Sequence, residues 1–321
     1  ELLTNYGTNY VSRLWWDHYP SGCGGLAPCP QGSFPTAWPR FVQLVREVSP
    51  STIICPGPDC DGHQGESGVG KYPVWFPCDP SAINGTELRC TDHGANSTHA
   101  GFHPYEACAT MHNGWFCKGD GDDAHNSYWS PIDIWTHYMQ SVGIGWVNTL
   151  NAPPGTTGQI PGRLPANMKA FGDALRALLK PVTQTALKEG VALLCNTTPL
   201  DIDLGAPTFF NVVMTREDLS QGQRITSYAV DFYNDKTASW EAFKICGSHC
   251  SIPGHDPGGD GVRGISVGAR LIDFVPATIA SKVRFRCTSS MAPDGMIHIR
   301  SFSVHKGDPP STAQKVAQLI V

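Results

Sequence analysis

Two hydrophobic periods alternate along the first 180 residues. Tyr10 to Trp16 is rich in β-branched and aromatic residues, the pattern of a buried strand, and it runs into Asp17 and a stretch crowded with Gly and Pro. From Arg40 to Val48 the apolar residues Phe41, Leu44, Val45 and Val48 fall on one helical face, and Thr52-Ile53-Ile54-Cys55 is a second short apolar run. Strand, helix and strand in this order put both strands parallel, with their C-terminal ends on one edge. Ser130 to Ser141 predicts another helix, with Ile132, Ile134, Trp135, Tyr138 and Met139 as its apolar members. A turn at Gly143-Ile144-Gly145 and a strand at Trp146 to Asn151 follow, the strand ending at Ala152-Pro153-Pro154-Gly155. Leu164 to Leu179 repeats Met168, Phe171, Leu175 and Leu178 at helical spacing, which reads as a core-facing stripe.

After about residue 195 the texture changes. Short strand runs separated by turn residues appear at Phe209–Val213, Arg224–Phe232, Gly264–Phe274, Lys282–Cys287 and Met296–Val304. That pattern predicts an antiparallel β-sandwich. The expected class is therefore α/β followed by all-β, with an α/β domain at 1–194, a sandwich at 195–308 and a tail at 309–321.

Composition narrows the function. The 321 residues include 34 Gly and 26 Pro, and only 16% are charged, so long irregular connections are expected. A net charge of −5 and a pI near 6.2 supply no basic field, which argues against a nucleic-acid partner. No apolar run reaches the roughly eighteen residues that a membrane span requires.

Twelve cysteines point to disulfides and hence to an oxidising compartment. The spacings 23/29, 55/60, 78/90, 108/117 and 246/250 suggest local bridges, although spacing alone leaves the pairing open. Three sequons, at Asn84, Asn96 and Asn196, mark glycosylation sites and agree with the secretory route, whether extracellular, lysosomal or vacuolar; Pro199 weakens the third. Metal is not expected. Cys246, His249 and Cys250 form half of a zinc site with no second pair at finger spacing, and Lys118 to Asp123 lacks the glycine and terminal Glu of a calcium loop. No cofactor motif is present either.

Chemistry enters with two acids. Asp17 ends the first strand, and Glu66 lies in the loop Gly57-Pro58-Asp59-Cys60-Asp61-Gly62-His63-Gln64-Gly65-Glu66-Ser67-Gly68 after the second. Parallel strands would deliver both to one rim, the edge where α/β barrels build their sites. Two carboxylates so placed suggest a hydrolase; the plainer alternative is that Asp17 starts a turn and Glu66 is solvated. His18 and His63 flank the pair and could hydrogen-bond substrate hydroxyls or a carboxylate, against a purely structural role. Trp115 and Phe116 are candidates for an apolar platform, against ordinary packing in the wall of the domain.

Several of these segments resemble the α-L-fucosidases of glycoside hydrolase family twenty-nine, in particular the branch acting on α1,3- and α1,4-linked fucose. Glu1-Leu2-Leu3-Thr4-Asn5-Tyr6-Gly7 and Leu14-Trp15-Trp16-Asp17 are similar to its "ELLTxYG" and "WFDG", and the Gly57–Gly68 loop to "GPDxRWVGNExG". Gly114-Trp115-Phe116, Tyr138–Gly143, Leu150–Gly158, Glu217–Arg224 and Gly264–Arg270 look like the landmarks "GWF", "YxxSVG", "LLNxPPxxxG", "LxExIxxGQR" and "GTTIGxKR", in the family's order. The resemblance implies the C-terminal part of a (β/α)8-like barrel followed by a β-sandwich. It implies that the chain starts near the fourth barrel strand, inside a helix closed by Gly7, with the family's His-rich sugar-binding motif upstream. Asp17 would be the nucleophile and Glu66 the acid/base of a retaining exo-fucosidase, its partner a fucosylated glycan. Asp61-Gly62 in place of Arg-Trp, and His18-Tyr19-Pro20 in place of Gly-Ala, depart from the family near both acids. A non-catalytic glycan-binding protein and an inactive fragment are the competing expectations.

Overall fold

A computed structural model describes residues 13–15, 33–55, 63–65, 105–112, 114–116, 128–221, 223–243, 267–290 and 292–310. The chain divides into two compact units, 1–64 and 65–321.

In the first unit β1 (Arg13–Trp15) and β2 (Ile53–Cys55) pair in parallel, Leu14 beside Ile54, with α1 (Ser33–Val48) between them in the chain. This is the strand-helix-strand unit expected from the apolar pattern. The helix begins seven residues earlier than the pattern predicts and carries Pro39 internally. Its buried strip is also narrower, since Val45 is buried while Leu44 and Val48 are exposed. Arg46 closes the turn into β2 by donating to the carbonyls of Pro50 and Thr52, at 3.2 and 2.6 Å. The short strand β3 (His63–Gly65) comes next in the chain.

The second unit opens with another parallel pair, β4 (Tyr105–Thr110) and β5 (Val147–Asn151), joined through α2 (Pro131–Met139). The helix starts where its sequence supplies a cap: Ser130 accepts the Asp133 N–H, and the Asp133 carboxylate accepts the Ser130 N–H at 2.9 Å, a reciprocal capping box followed by Pro131. A 3-10 turn (Val142–Ile144) ends at Gly145, whose φ of 87° suits glycine. Helix α3 (Leu164–Leu178) packs on α2 through Tyr138 against Phe171. The predicted apolar stripes face each other there: buried Trp135, Tyr138 and Met139 from α2 meet buried Leu178 and partly buried Phe171 and Leu175 from α3.

Six antiparallel strands follow: β6 (Leu187–Leu194), β7 (Leu200–Glu217), β8 (Ile225–Asn234), β9 (Ser239–Ala242), β10 (Leu271–Ser290) and β11 (Met296–His305). They form one ladder in the order β6-β11-β7-β10-β8-β9. That ladder cannot be flat. The β6–β11 and β11–β7 registers set Leu194 beside the Glu217 end of β7, so in a flat sheet it would lie roughly 50 Å from Leu200 at about 3.3 Å per residue. The chain from Leu194 to Leu200 can span at most about 20 Å. The sheet therefore folds over, and β7 and β10 run through both layers. Residues 212–217 of β7 pair with β11, whereas residues 200–203 pair only with the far half of β10, which also carries β8. Register shifts between Phe274 and Thr278 and between Ala280 and Lys282 mark the bend, as bulges do in sharply curved strands. Phe210, Ile225, Phe285, Ile299 and Phe302 are buried in the core that the two layers share.

Cys195 and Cys287 are joined across this fold, linking the end of β6 to the far half of β10. They are the two cysteines outside the five local spacings. Each of those five spacings has a member outside the described residues. Strands β6 and β9 were not expected from the sequence, and β6 places the start of the antiparallel sheet ahead of residue 195.

Candidate functional site

Among the described residues, two exposed aromatic side chains stand together just beyond the C-terminal edge of the β4–β5 pair. Thr110 lies opposite Asn151 at the ends of the two strands. Beyond Thr110 the chain turns sharply, because the His112 carbonyl accepts both the Thr110 hydroxyl, at 2.6 Å, and the Gly114 N–H, at 2.8 Å. Gly114 has a φ of 113°, a conformation that a side chain would oppose. The turn sends Trp115 and Phe116 outward, and they are 41% and 84% exposed. A half-exposed indole and an almost free phenyl ring stand on a strand-end turn.

Behind the turn is a polar interior. His112 is 3% exposed, lies edge-on to the Tyr128 ring at 6.0 Å, and neither of its ring nitrogens has a hydrogen-bond partner among the described residues. His137 on α2 packs on Trp129 with centroids 5.2 Å apart. Burial pushes the His137 pKa down to about 4; the Asn148 side chain opposes that shift without reaching a well-formed hydrogen bond. The ring is thus neutral at physiological pH.

Of the other site residues expected from the sequence, Asp17, His18 and Glu66, with the sequons at Asn84 and Asn96, lie outside the described residues. His63 belongs to β3. Asn196 is exposed in the turn after β6, in a left-handed conformation with φ 63°. The backbone N–H groups of Asn196, Thr197 and Thr198 are all taken, by the carbonyls of Cys287 and Leu194, so the turn is held while the Asn196 side chain faces water.

Three of the landmark segments meet at a second place. Glu217, buried at the end of β7, accepts the N–H groups of Arg224, Ile225 and Gly268, at 2.5, 3.0 and 3.3 Å. Burial pushes its pKa up to about 7, against the pull of those three N–H groups and of the Arg224 charge. Arg216 donates to the Ala269 carbonyl, and Arg270 to the Tyr138 hydroxyl at 2.9 Å. Gly145 approaches the Arg270 carbonyl so closely that a Cβ would sit 3.2 Å from it. The Tyr138–Gly145, Glu217–Arg224 and Gly268–Arg270 segments are thus one structural joint between the helices and the bent sheet. Their chemistry is spent on the fold.

No family model matches the chain. Among curated proteins it is similar to "Putative alpha-L-fucosidase 1" of Oryza sativa subsp. japonica, 23% identical over 271 residues, 74% of this chain and 49% of that protein. The chain spans about half the length of this curated relative. In structure it resembles a glycoside hydrolase 29 family member from an unknown rumen bacterium, with a TM-score of 0.68 and 21% identity, over 96% of this chain and 52% of the other. It also resembles a Ruminococcus gnavus GH29 fucosidase solved in complex with fucose, with a TM-score of 0.66 and 16% identity, over 93% of this chain and 61% of the other. The chain shares their fold. Likeness over more than nine-tenths of its length covers both the α/β segment and the bent antiparallel sheet.

Proposed function

We propose that this chain belongs to an α-L-fucosidase, a retaining exo-hydrolase that removes α1,3- or α1,4-linked L-fucose from glycans. One observation carries the reading: the sequence relative bears the name putative alpha-L-fucosidase, and the structural neighbours are a glycoside hydrolase 29 family member and a GH29 fucosidase in complex with fucose. The residues that resemble the α1,3/4 branch support the linkage, and the motif order supports the roles of the two acids.

A retaining glycosidase sets two carboxyl groups about 5 Å apart. In this reading Asp17 attacks the anomeric carbon and forms a covalent glycosyl ester while Glu66 passes its proton to the departing oxygen. Glu66, now ionised, takes a proton from the water that cleaves the ester and releases fucose with its configuration retained. The negative charge of Asp17 keeps the Glu66 proton in place before the first step, through like-charge repulsion. Trp115 and Phe116 supply apolar surface for a C–H face of the sugar chain. The Cys195–Cys287 bridge, the cysteine-rich loops and the exposed Asn196 sequon favour a glycosylated protein of the secretory route. The organisation into a catalytic barrel segment followed by its sandwich belongs to the same reading, with the boundary drawn ahead of β6 at Leu187 and not between 194 and 195.

The test is hydrolysis of an activated aryl fucoside and of a Lewis-type glycan by the intact protein, with and without Asp17→Ala. Turnover that falls by at least about a thousandfold in the variant is expected, since in this reading Asp17 supplies the nucleophile. A variant that keeps a near-wild-type rate would overturn the assignment.

A further inference from the structure

Trp115 and Phe116 present a physical problem that the fucosidase reading leaves open. Burial of Met111 and His112 and the Gly114–His112 bond shape the start of the turn, but Trp115 and Phe116 at its end are exposed, so core burial does little to hold them against the entropy of a loop. A further tie comes from Asn151. Its main-chain carbonyl accepts the Met111 N–H at 3.0 Å, at the start of the turn, and its side-chain amide donates to the Trp115 carbonyl at 2.7 Å, at the end of the turn. A single residue at the C-terminus of β5 thus holds both ends of a segment that belongs to β4. Its own position is set by the parallel ladder, where it pairs with Thr110. A carbonyl can only accept, so the side-chain contact requires a donor, which Asn supplies and Asp does not.

We infer that Asn151 is a positioning residue: it brackets the Trp115–Phe116 turn and holds the two aromatic rings ready for a C–H face of the glycan. The inference rests on the fucosidase reading. The bracket acts on ligand binding and leaves the bond-breaking groups untouched, so its loss weakens ground state and transition state alike, which appears in KM and not in kcat.

The experiment compares intact wild-type protein with Asn151→Asp and Asn151→Ala, using steady-state kinetics on a Lewis-type trisaccharide and amide hydrogen exchange. Asn151→Asp keeps the size and removes the donor, so both variants are expected to raise KM by about tenfold with kcat within about twofold, the equivalent of one lost hydrogen bond. Exchange at residues 111–116 should quicken in both, with β6 to β11 unchanged. Asn151→Gln, which restores the amide on a longer arm, should recover part of the KM. An unchanged KM in Asn151→Asp, or a fall in kcat equal to the rise in KM, overturns the bracket and leaves the fucosidase reading standing. A wild type that hydrolyses neither aryl fucoside nor trisaccharide overturns both.

Discussion

At the scale of single residues, Glu217 is where the chain's chemistry is easiest to misread. A buried carboxylate with a pKa near neutrality has the profile of a catalytic acid. Its partners say otherwise: three backbone N–H groups from two loops surround it, and no exposed cleft residue is among them. The consequence is a pH-dependent stability. Because its folded pKa is raised to about 7 from about 4.5, the folded state keeps a proton that the unfolded chain releases, so stability is full below about pH 4.5 and is lost as pH rises through 7. The span corresponds to about 3 kcal/mol. His137 acts in the opposite sense. Its folded pKa is lowered to about 4 from 6.5, so the unfolded chain binds the extra proton, and its contribution is present above pH 6.5 and lost as pH falls to 4. Between about pH 4.5 and 6.5 the two oppose each other, and His305, whose pKa burial also lowers, adds to the His137 side. Denaturant unfolding across pH should show stability declining above about pH 6.5, and Glu217→Gln should remove that decline and steepen the rise of stability with pH below it. A decline above pH 6.5 that persists in Glu217→Gln would place the titration elsewhere.

At the scale of elements, what was legible in the sequence depended on whether the signal was local. The expected bounds of α2 and α3 agree with the structure to within about two residues, because the helical stripes that carry the signal are contained in the element itself. Strand β6 was missed because six of its eight residues are exposed and its sequence has no alternation to read; β9 is only four residues long. Strands β7 and β10 were read as fragments because Gly205, Pro207 and Pro276 break the pattern where the strands bend between layers. Asp17 and Glu66 are expected from strand ends and motif order and lie outside the described residues, whereas the bracket at Asn151 gives no local signal: its partner lies 36 residues away and only the folded ladder brings them together. The 3-10 turn gives a test at this scale. Gly145 and Gly158 both have positive φ, 87° and 79°, but a Cβ on Gly145 meets the Arg270 carbonyl, whereas one on Gly158 meets nothing within 4 Å. Gly158→Ala should cost about 1 kcal/mol, the backbone penalty alone, and Gly145→Ala about 2–3 kcal/mol, because the joint must also shift. Urea midpoints for the two variants measure the difference. Equal losses would mean that the loop at Arg270 yields freely.

At the scale of the second unit, the Cys195–Cys287 bond decides how firmly the bent sheet is closed. The ladder accounts for pairing within each layer, and the shared core holds the layers together, yet the route by which β6 returns to the start of β7 depends on a short turn beside Cys195. The bridge encloses 92 residues of sequence, including β7, β8 and β9. Closing a loop of that length restricts the unfolded chain by about 4–5 kcal/mol in the chain-entropy account, a large share of the 5–15 kcal/mol by which typical domains are stable. Replacing both cysteines by serine should therefore lower unfolding stability by about 3–5 kcal/mol, somewhat less than the entropic limit if the reduced chain retains structure. Cys195→Ser alone should cost nearly as much as the double variant, because closure is lost either way. The pair of measurements separates two sources of cohesion: if the double variant unfolds at the wild-type urea midpoint, the ladder and core close the sheet unaided and the bridge is incidental. If instead the loss matches the closure entropy while the native circular dichroism is retained, the bend is encoded in the strands at 203–210 and 274–282, and the disulfide stabilises a geometry that the sequence has already chosen.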